Sequence, residues 1–155
     1  MSWRFGLFIA LFVTPALAYD FLGPEGCQGC HAEAYAAWRS SAHARAKDSL
    51  SPQSQRDARC ISCHAPNQDQ GVVGVSCETC HGGGQYYAAR NVMKDPELAR
   101  LTGLLDPGEK GCRTCHDASS PSLKPFDFVE KLKAIDHWSA ERAKKAAAPP
   151  AKTDK

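Results

Sequence analysis

Cys77-Glu78-Thr79-Cys80-His81 is one of four copies of a single five-residue frame, the others being Cys27-Gln28-Gly29-Cys30-His31, Cys60-Ile61-Ser62-Cys63-His64 and Cys112-Arg113-Thr114-Cys115-His116. Together they use all eight cysteines of the 155-residue chain. C-x-x-C-H is the spacing at which two thiols add to the vinyl groups of one haem while the adjacent histidine binds iron. The spacing has a mechanical reason. Residues three apart share one face of a helical turn, so both sulfurs meet one macrocycle edge and the next residue turns its imidazole to the metal. Three other chemistries use paired cysteines. Zinc leaves the histidine after every second cysteine unexplained, and a disulfide scaffold leaves the three-residue spacing unexplained. A thioredoxin-like redox motif needs a βαβ setting that the sequence lacks. The expectation is four covalently bound haem c groups.

Composition points the same way. Trp3 and Arg4 lead into an apolar run over 5–13, and Ala16-Leu17-Ala18 is an A-x-A cleavage site, so residues 1–18 read as a cleaved signal peptide. The run is too short to span a bilayer, and the expected destination is the periplasm, with no membrane span in the mature form. Of the 137 residues beyond Ala18, 18 are Leu, Ile, Val or Phe. That fraction is below the roughly 20% at which a chain usually fails to bury enough apolar surface to fold. Something other than side chains must supply the core, and four apolar macrocycles would. The formal charge of +2 falls to +1 once Arg4 is removed, which leaves no basic excess to neutralise phosphates and argues against nucleic acid as a partner.

The frames begin at 27, 60, 77 and 112, a long-short-long spacing without a clean repeat. Residues 32–50 carry Tyr35, Trp38 and Ala42 at helical spacing and read as one amphipathic helix ending before Ser51-Pro52. Gly71 to Gly74 and Gly82-Gly83-Gly84 mark loops where backbone approaches a ring closely. Asp95-Pro96-Glu97 is a helix start, with Asp as N-cap and Pro at the first position, and Gly103 is its stop. Residues 126–138 form a second amphipathic segment with Phe128, Leu132 and Ile135 on one face. No strand pattern is longer than 72–76. The fold class is therefore mainly α, a small multihaem arrangement with a haem-dominated core. Residues 19–138 form the cytochrome domain and 139–155 an Ala/Lys/Pro tail.

The frames fill one axial position on each iron, and the remaining candidates in 19–155 are His43, His137 and the single methionine there, Met93. Three candidates for four positions leave at least one iron without a His or Met distal ligand. On a continuous helix His43 lies roughly 18 Å along the axis and about 120° around from His31, so it ligates a different haem. His137 follows the loop at 119–125, long enough for the chain to return over the haem of His116. Met93 precedes a capped helix, where a side chain is readily aimed, and as a ligand it would raise that haem's potential. Arg39, Arg45, Arg56, Arg59, Arg90 and Lys94 are candidate propionate partners. Tyr86, Tyr87 and Asp69 read as surface or packing residues rather than as proton donors.

The stretch Gly74-Val75-Ser76-Cys77-Glu78-Thr79-Cys80-His81-Gly82 resembles the third haem frame of the cytochrome c-554 family. Trp38-Arg39-Ser40-Ser41-Ala42-His43-Ala44 is similar to the segment from which that family supplies a distal histidine. The resemblance implies a periplasmic tetrahaem electron carrier with haems stacked in close parallel pairs and one five-coordinate haem. It implies His43 as distal ligand of the haem at Cys77/Cys80, His137 as that of the haem at Cys112/Cys115, and an open iron at His64. The family's histidine between the third and fourth frames, which ligates the first haem, has no counterpart here, where the chain reads Asn91-Val92-Met93-Lys94-Asp95-Pro96. Either Met93 takes its place or the first haem also lacks a sixth ligand.

The expected function is electron transfer between periplasmic redox proteins, with no dedicated catalytic residues. The alternatives are reduction of nitric oxide or a related nitrogen species at an open haem, and a conductive haem filament. Eight ionised propionates would take the mature +1 to about −7, and four ferric irons in dianionic porphyrins would return it to about −3. Docking faces on the partners are then expected to be basic.

Overall fold

In a computed structural model, residues 21–118 and 125–139 are described, together with Ala143 and Ala147. The leader at 1–18 and most of the loop at 119–125 and of the tail at 139–155 lie outside the described residues. Among the described residues the chain is helical, with eight short α-helices and no strand. They are α1 (Glu25–Gln28), α2 (Ala32–Ser40), α3 (Ala58–His64), α4 (Cys77–His81), α5 (Arg90–Met93), α6 (Pro96–Leu101), α7 (Glu109–Cys112) and α8 (Phe128–Ile135). Single 3₁₀ turns at Lys47–Ser49, Ser54–Arg56 and Gln68–Gln70 join them. None of these helices is long and apolar enough to cross a membrane.

Helices this short are not stable alone in water, and caps and tertiary ties fix them. Asp57 caps α3 by accepting the Arg59 N–H at 2.9 Å, and its carboxylate also clasps the Arg59 guanidinium at 2.6 Å. That clasp holds the Asp57 carboxyl down at about 2. Ser76 and Thr79 form a capping box at the start of α4, and Thr79 donates onward to Asn67 Oδ1 at 2.7 Å. Asp95 accepts from Glu97 N and Leu98 N, both at 3.1 Å, with Pro96 at the first position of α6 and Gly103 just past its end at φ 115°. This is the start and stop the sequence carries.

The helix expected over 32–50 is shorter than its periodicity. It ends at Ser40, Ser41 is extended, and the chain then runs through turns into the 3₁₀ segment. Serine competes with the helix for its own backbone. Ser40 Oγ donates back to Ala37 O at 2.9 Å, and Ser41 Oγ accepts Ala44 N–H at 3.4 Å. The break frees His43 O to accept Val75 N–H at 2.9 Å, while Trp38 Nε1 donates to Val75 O at 2.8 Å. Gly74 makes this junction possible: its φ is 77°, and a Cβ there would stand 2.6 Å from Ala44 O. Gly82 does the same after α4, at φ 79° with Gly103 O 2.6 Å from where a Cβ would be, so that Leu105 N–H reaches His81 O at 2.9 Å. The segment 72–76 pairs through single bonds of this kind and forms no strand.

Apolar burial by side chains is slight. Among the described residues the buried hydrophobic ones are Ala65, Val72, Tyr87 and Ala99, while Leu101, Val129, Leu105 and Tyr86 are more than half exposed. One large side chain is fully buried, and it is charged: Glu78, 1% exposed. The low apolar fraction thus shows in the fold as helical turns organised around the frames.

Candidate haem sites

Each frame is one helical turn. The third is α4 itself, the second occupies the end of α3, the first straddles the end of α1, and the fourth begins on the last residue of α7. In the first and fourth frames the histidine N–H donates to the carbonyl of the first cysteine, His31 to Cys27 at 2.9 Å and His116 to Cys112 at 3.0 Å. No disulfide joins the eight cysteines, and Cys30 is exposed while the others are half-buried. Their sulfurs bring the frames together in sequence. Cys27 lies beside Cys77, which pushes the Cys27 thiol up and the Cys77 thiol down. Burial, and then the neighbouring Cys63, push Cys115 up. Cys80 is raised by burial and by the neighbouring Cys112. First frame meets third, third meets fourth and fourth meets second. A zinc site needs ligands converging on one point, and among the described residues no group of three or more His, Cys, Asp or Glu does so.

The histidines carry the decisive chemistry. A metal-bound imidazole usually donates its second ring N–H to a carbonyl or carboxylate, which fixes the tautomer and the ring's direction. His64 Nδ1 lies 2.7 Å from Ala46 O and 3.3 Å from Ser49 Oγ, His81 Nδ1 lies 3.3 Å from Leu105 O, and His137 Nδ1 lies 2.8 Å from Ile135 O. A carbonyl only accepts, so Nδ1 holds the proton and Nε2 keeps its lone pair for a metal. Burial, then His116, pushes His43 below the ordinary imidazole range. His81 is also lowered, by burial first and by His137, against a raising contact from Leu105 O. Both shifts favour the neutral ring that ligates.

The rings also stand in pairs. His43 and His116 have centroids 6.1 Å apart, and His81 and His137 have centroids 6.2 Å apart. Two imidazoles on opposite sides of one metal, at about 2 Å per metal–nitrogen bond, place their centroids about 6.2 Å apart. The donor set therefore fits a haem iron between each pair. This pairing differs from the one the resemblance implies: His43 faces the fourth frame rather than the third, and His137 faces the third rather than the fourth. His31 stands edge-on to Trp138 at 5.8 Å, His116 stacks on Phe126 at 4.6 Å, and the Arg113 guanidinium lies 5.7 Å from the Phe126 ring centre. Met93 is half-buried at the end of α5.

Among the candidate propionate partners, Arg39 and Arg45 line a cleft of about 490 Å³ with Trp38, Val72 and Val73. Arg59 is committed to Asp57. Tyr87 is buried as a packing residue, its hydroxyl donating to Gly82 O at 2.8 Å and raised above its ordinary range by burial. The sequence reading passed over Glu78. No local signal marks it, because two of the three N–H groups it accepts lie 56 and 55 residues away.

One-turn frames presenting paired thiols and a lone-pair imidazole define a c-type cytochrome with covalently bound haem. Residues 26–82 match the family described as Cytochrome c554 and c-prime. Cytochrome c-554 of Nitrosomonas europaea is 28% identical over 141 residues, covering 65% of this chain. The chain spans about 60% of the length of that relative. No solved structure matches. The chain is thus similar to the cytochrome c-554 family over residues 26–82 and, more weakly, over a longer stretch to that relative.

Proposed function

We propose that this chain is a periplasmic tetrahaem cytochrome that carries electrons between redox proteins. It would be delivered by a cleaved leader at residues 1–18 and anchor one haem at each of Cys27/Cys30, Cys60/Cys63, Cys77/Cys80 and Cys112/Cys115. His31, His64, His81 and His116 are the proximal ligands in this reading. His43 completes the fourth-frame haem and His137 the third. Haem supplies one-electron chemistry when bound, and the protein's part is to orient imidazoles, favour the neutral form of His43 and His81 and keep the four frames adjacent. The two imidazole pairs, His43 with His116 at 6.1 Å and His81 with His137 at 6.2 Å, are the observation that carries the reading, because each pair can close on one iron.

The irons of His31 and His64 have no histidine opposite them in this assignment. Met93 is the one methionine in 19–155, so at most one of those irons gains a His or Met sixth ligand. An open iron also admits a small ligand such as nitric oxide. A carrier binds it without turning it over, whereas a reductase consumes it. The direct test is the intact mass of the protein purified from a host with cytochrome c maturation. Four added haems and loss of residues 1–18 are expected, and three or fewer haems on the wild-type chain would overturn the proposal. Reduction by a donor with a basic docking face is expected to slow as ionic strength rises.

A further inference from the structure

Glu78 occupies one of the two variable positions of the third frame, where a charged side chain is expected to reach solvent. It does the reverse. It is 1% exposed and accepts three backbone N–H groups: Leu22 at 2.8 Å and Gly84 at 2.7 Å on Oε1, and Gly23 at 2.8 Å on Oε2. Leu22 and Gly23 lie 56 and 55 residues away in sequence, on the arm that leads directly into α1 and the first frame. Gly84 belongs to the loop that leaves the third frame. The neighbouring packing is shaped to this carboxylate. A Cβ at Gly84 would stand 3.0 Å from Glu78 Oε1 and 3.4 Å from Leu22 Cδ1, and Leu22 Cβ stands 3.0 Å from where a Cβ would be on Gly26. Three convergent N–H donors with no competing acceptor require a group that only accepts, and a carboxylate is the side chain that does so at both oxygens.

We propose that Glu78 is a positioning residue that clamps the first frame against the third and so sets the mutual placement of their two haems. This inference rests on the reading of both frames as haem anchors. Buried charge left without its donors is costly, so the clamp opens only when all three contacts are lost together. Glu78→Gln breaks that condition. A carboxamide offers one acceptor oxygen, so it serves the Leu22/Gly84 pair or Gly23, but not all three.

The test is made on the haem-loaded protein with two readouts. Backbone amide exchange at Leu22 and Gly23 is expected to accelerate about tenfold at one or both residues in Glu78→Gln, the factor that goes with losing one charge-assisted hydrogen bond. The magnetic coupling between the first- and third-frame haems in the electron paramagnetic resonance spectrum is expected to weaken, while that between the second and fourth is unchanged. A general loosening of the fold would change both couplings. Gly84→Ala provides a second variant, because it retains the charge but pushes on Oε1, and it is expected to move both readouts less in the same direction. Protection at Leu22 and Gly23 equal to wild type, with unchanged coupling, in either assembled variant would overturn the clamp. The haem count of the wild-type protein separately decides whether the frames carry haem, so failure of one reading is distinguishable from failure of the other.

Discussion

Gly74 offers the sharpest test of how this chain aims a distal ligand from a distance. It adopts φ 77°, and a Cβ on it would stand 2.6 Å from Ala44 O and 2.9 Å from His43 O. Both oxygens are backbone, so neither yields as a flexible side chain does. The left-handed conformation costs an alanine about 1–2 kcal/mol, and overlap with fixed atoms typically adds about 1–3 kcal/mol. Gly74→Ala should therefore lose about 2–5 kcal/mol, a large share of the stability of a small domain. Gly71 is the internal control, with φ 81° and nothing within 4 Å of a Cβ, so Gly71→Ala should lose only the conformational part, about 1–2 kcal/mol. The assay is denaturant unfolding of both haem-loaded variants beside wild type, together with the spin state of each haem. Gly74→Ala should also disturb the low-spin signal of the fourth-frame haem, because the Val75 N–H bond to His43 O at 2.9 Å cannot survive the displacement. Gly71→Ala should leave that signal intact. Equal destabilisation by the two substitutions, with all haem signals unchanged, would refute the claim that this junction aims His43.

His43→Ala should convert the haem of Cys112/Cys115 to high spin and His137→Ala that of Cys77/Cys80, read by resonance spectra of the oxidised variants; the opposite assignment would restore the pairing that the family resemblance implies. Trp38→Phe removes the 2.8 Å bond to Val75 O and should cost about 1 kcal/mol in unfolding experiments, the usual net value of one hydrogen bond. Asp57, held at about 2 by the Arg59 guanidinium and then by the Arg59 N–H, is depressed in the folded state. Its contribution is complete above the ordinary carboxylate value of about 3.9 and is lost as pH falls towards 2. Wild type should therefore lose more stability than Asp57→Asn between those values, as read from the pH dependence of the unfolding midpoint.

Local chemistry was legible in the sequence wherever the determining groups lie within one turn of each other. The four frames, the Asp95-Pro96 helix start with its Gly103 stop, and the glycine loops around 71–74 and 82–84 are of this kind, each specified by neighbours in sequence. The long helix over 32–50 was misjudged because apolar spacing continues through residues 40–42, whereas Ser40 and Ser41 turn their hydroxyls to the backbone and Val75 captures His43 O. Ligand pairing was hidden for a related reason. His43 and His116 are brought together by the path between the frames, and nothing near either residue encodes the other. Glu78 looked like an ordinary solvated charge, since two of its three donors lie more than 50 residues away. In a chain with so few buried apolar side chains, contacts like these replace the periodic signals by which a core is usually read.

The account turns on the deduction that four frames and only three further ligands leave an iron open. A quantitative electron paramagnetic resonance spectrum of the fully oxidised haem-loaded protein counts spin states directly. The account predicts at least two low-spin haems with paired histidines and at least one high-spin haem per molecule. Four low-spin haems and no high-spin signal would contradict it.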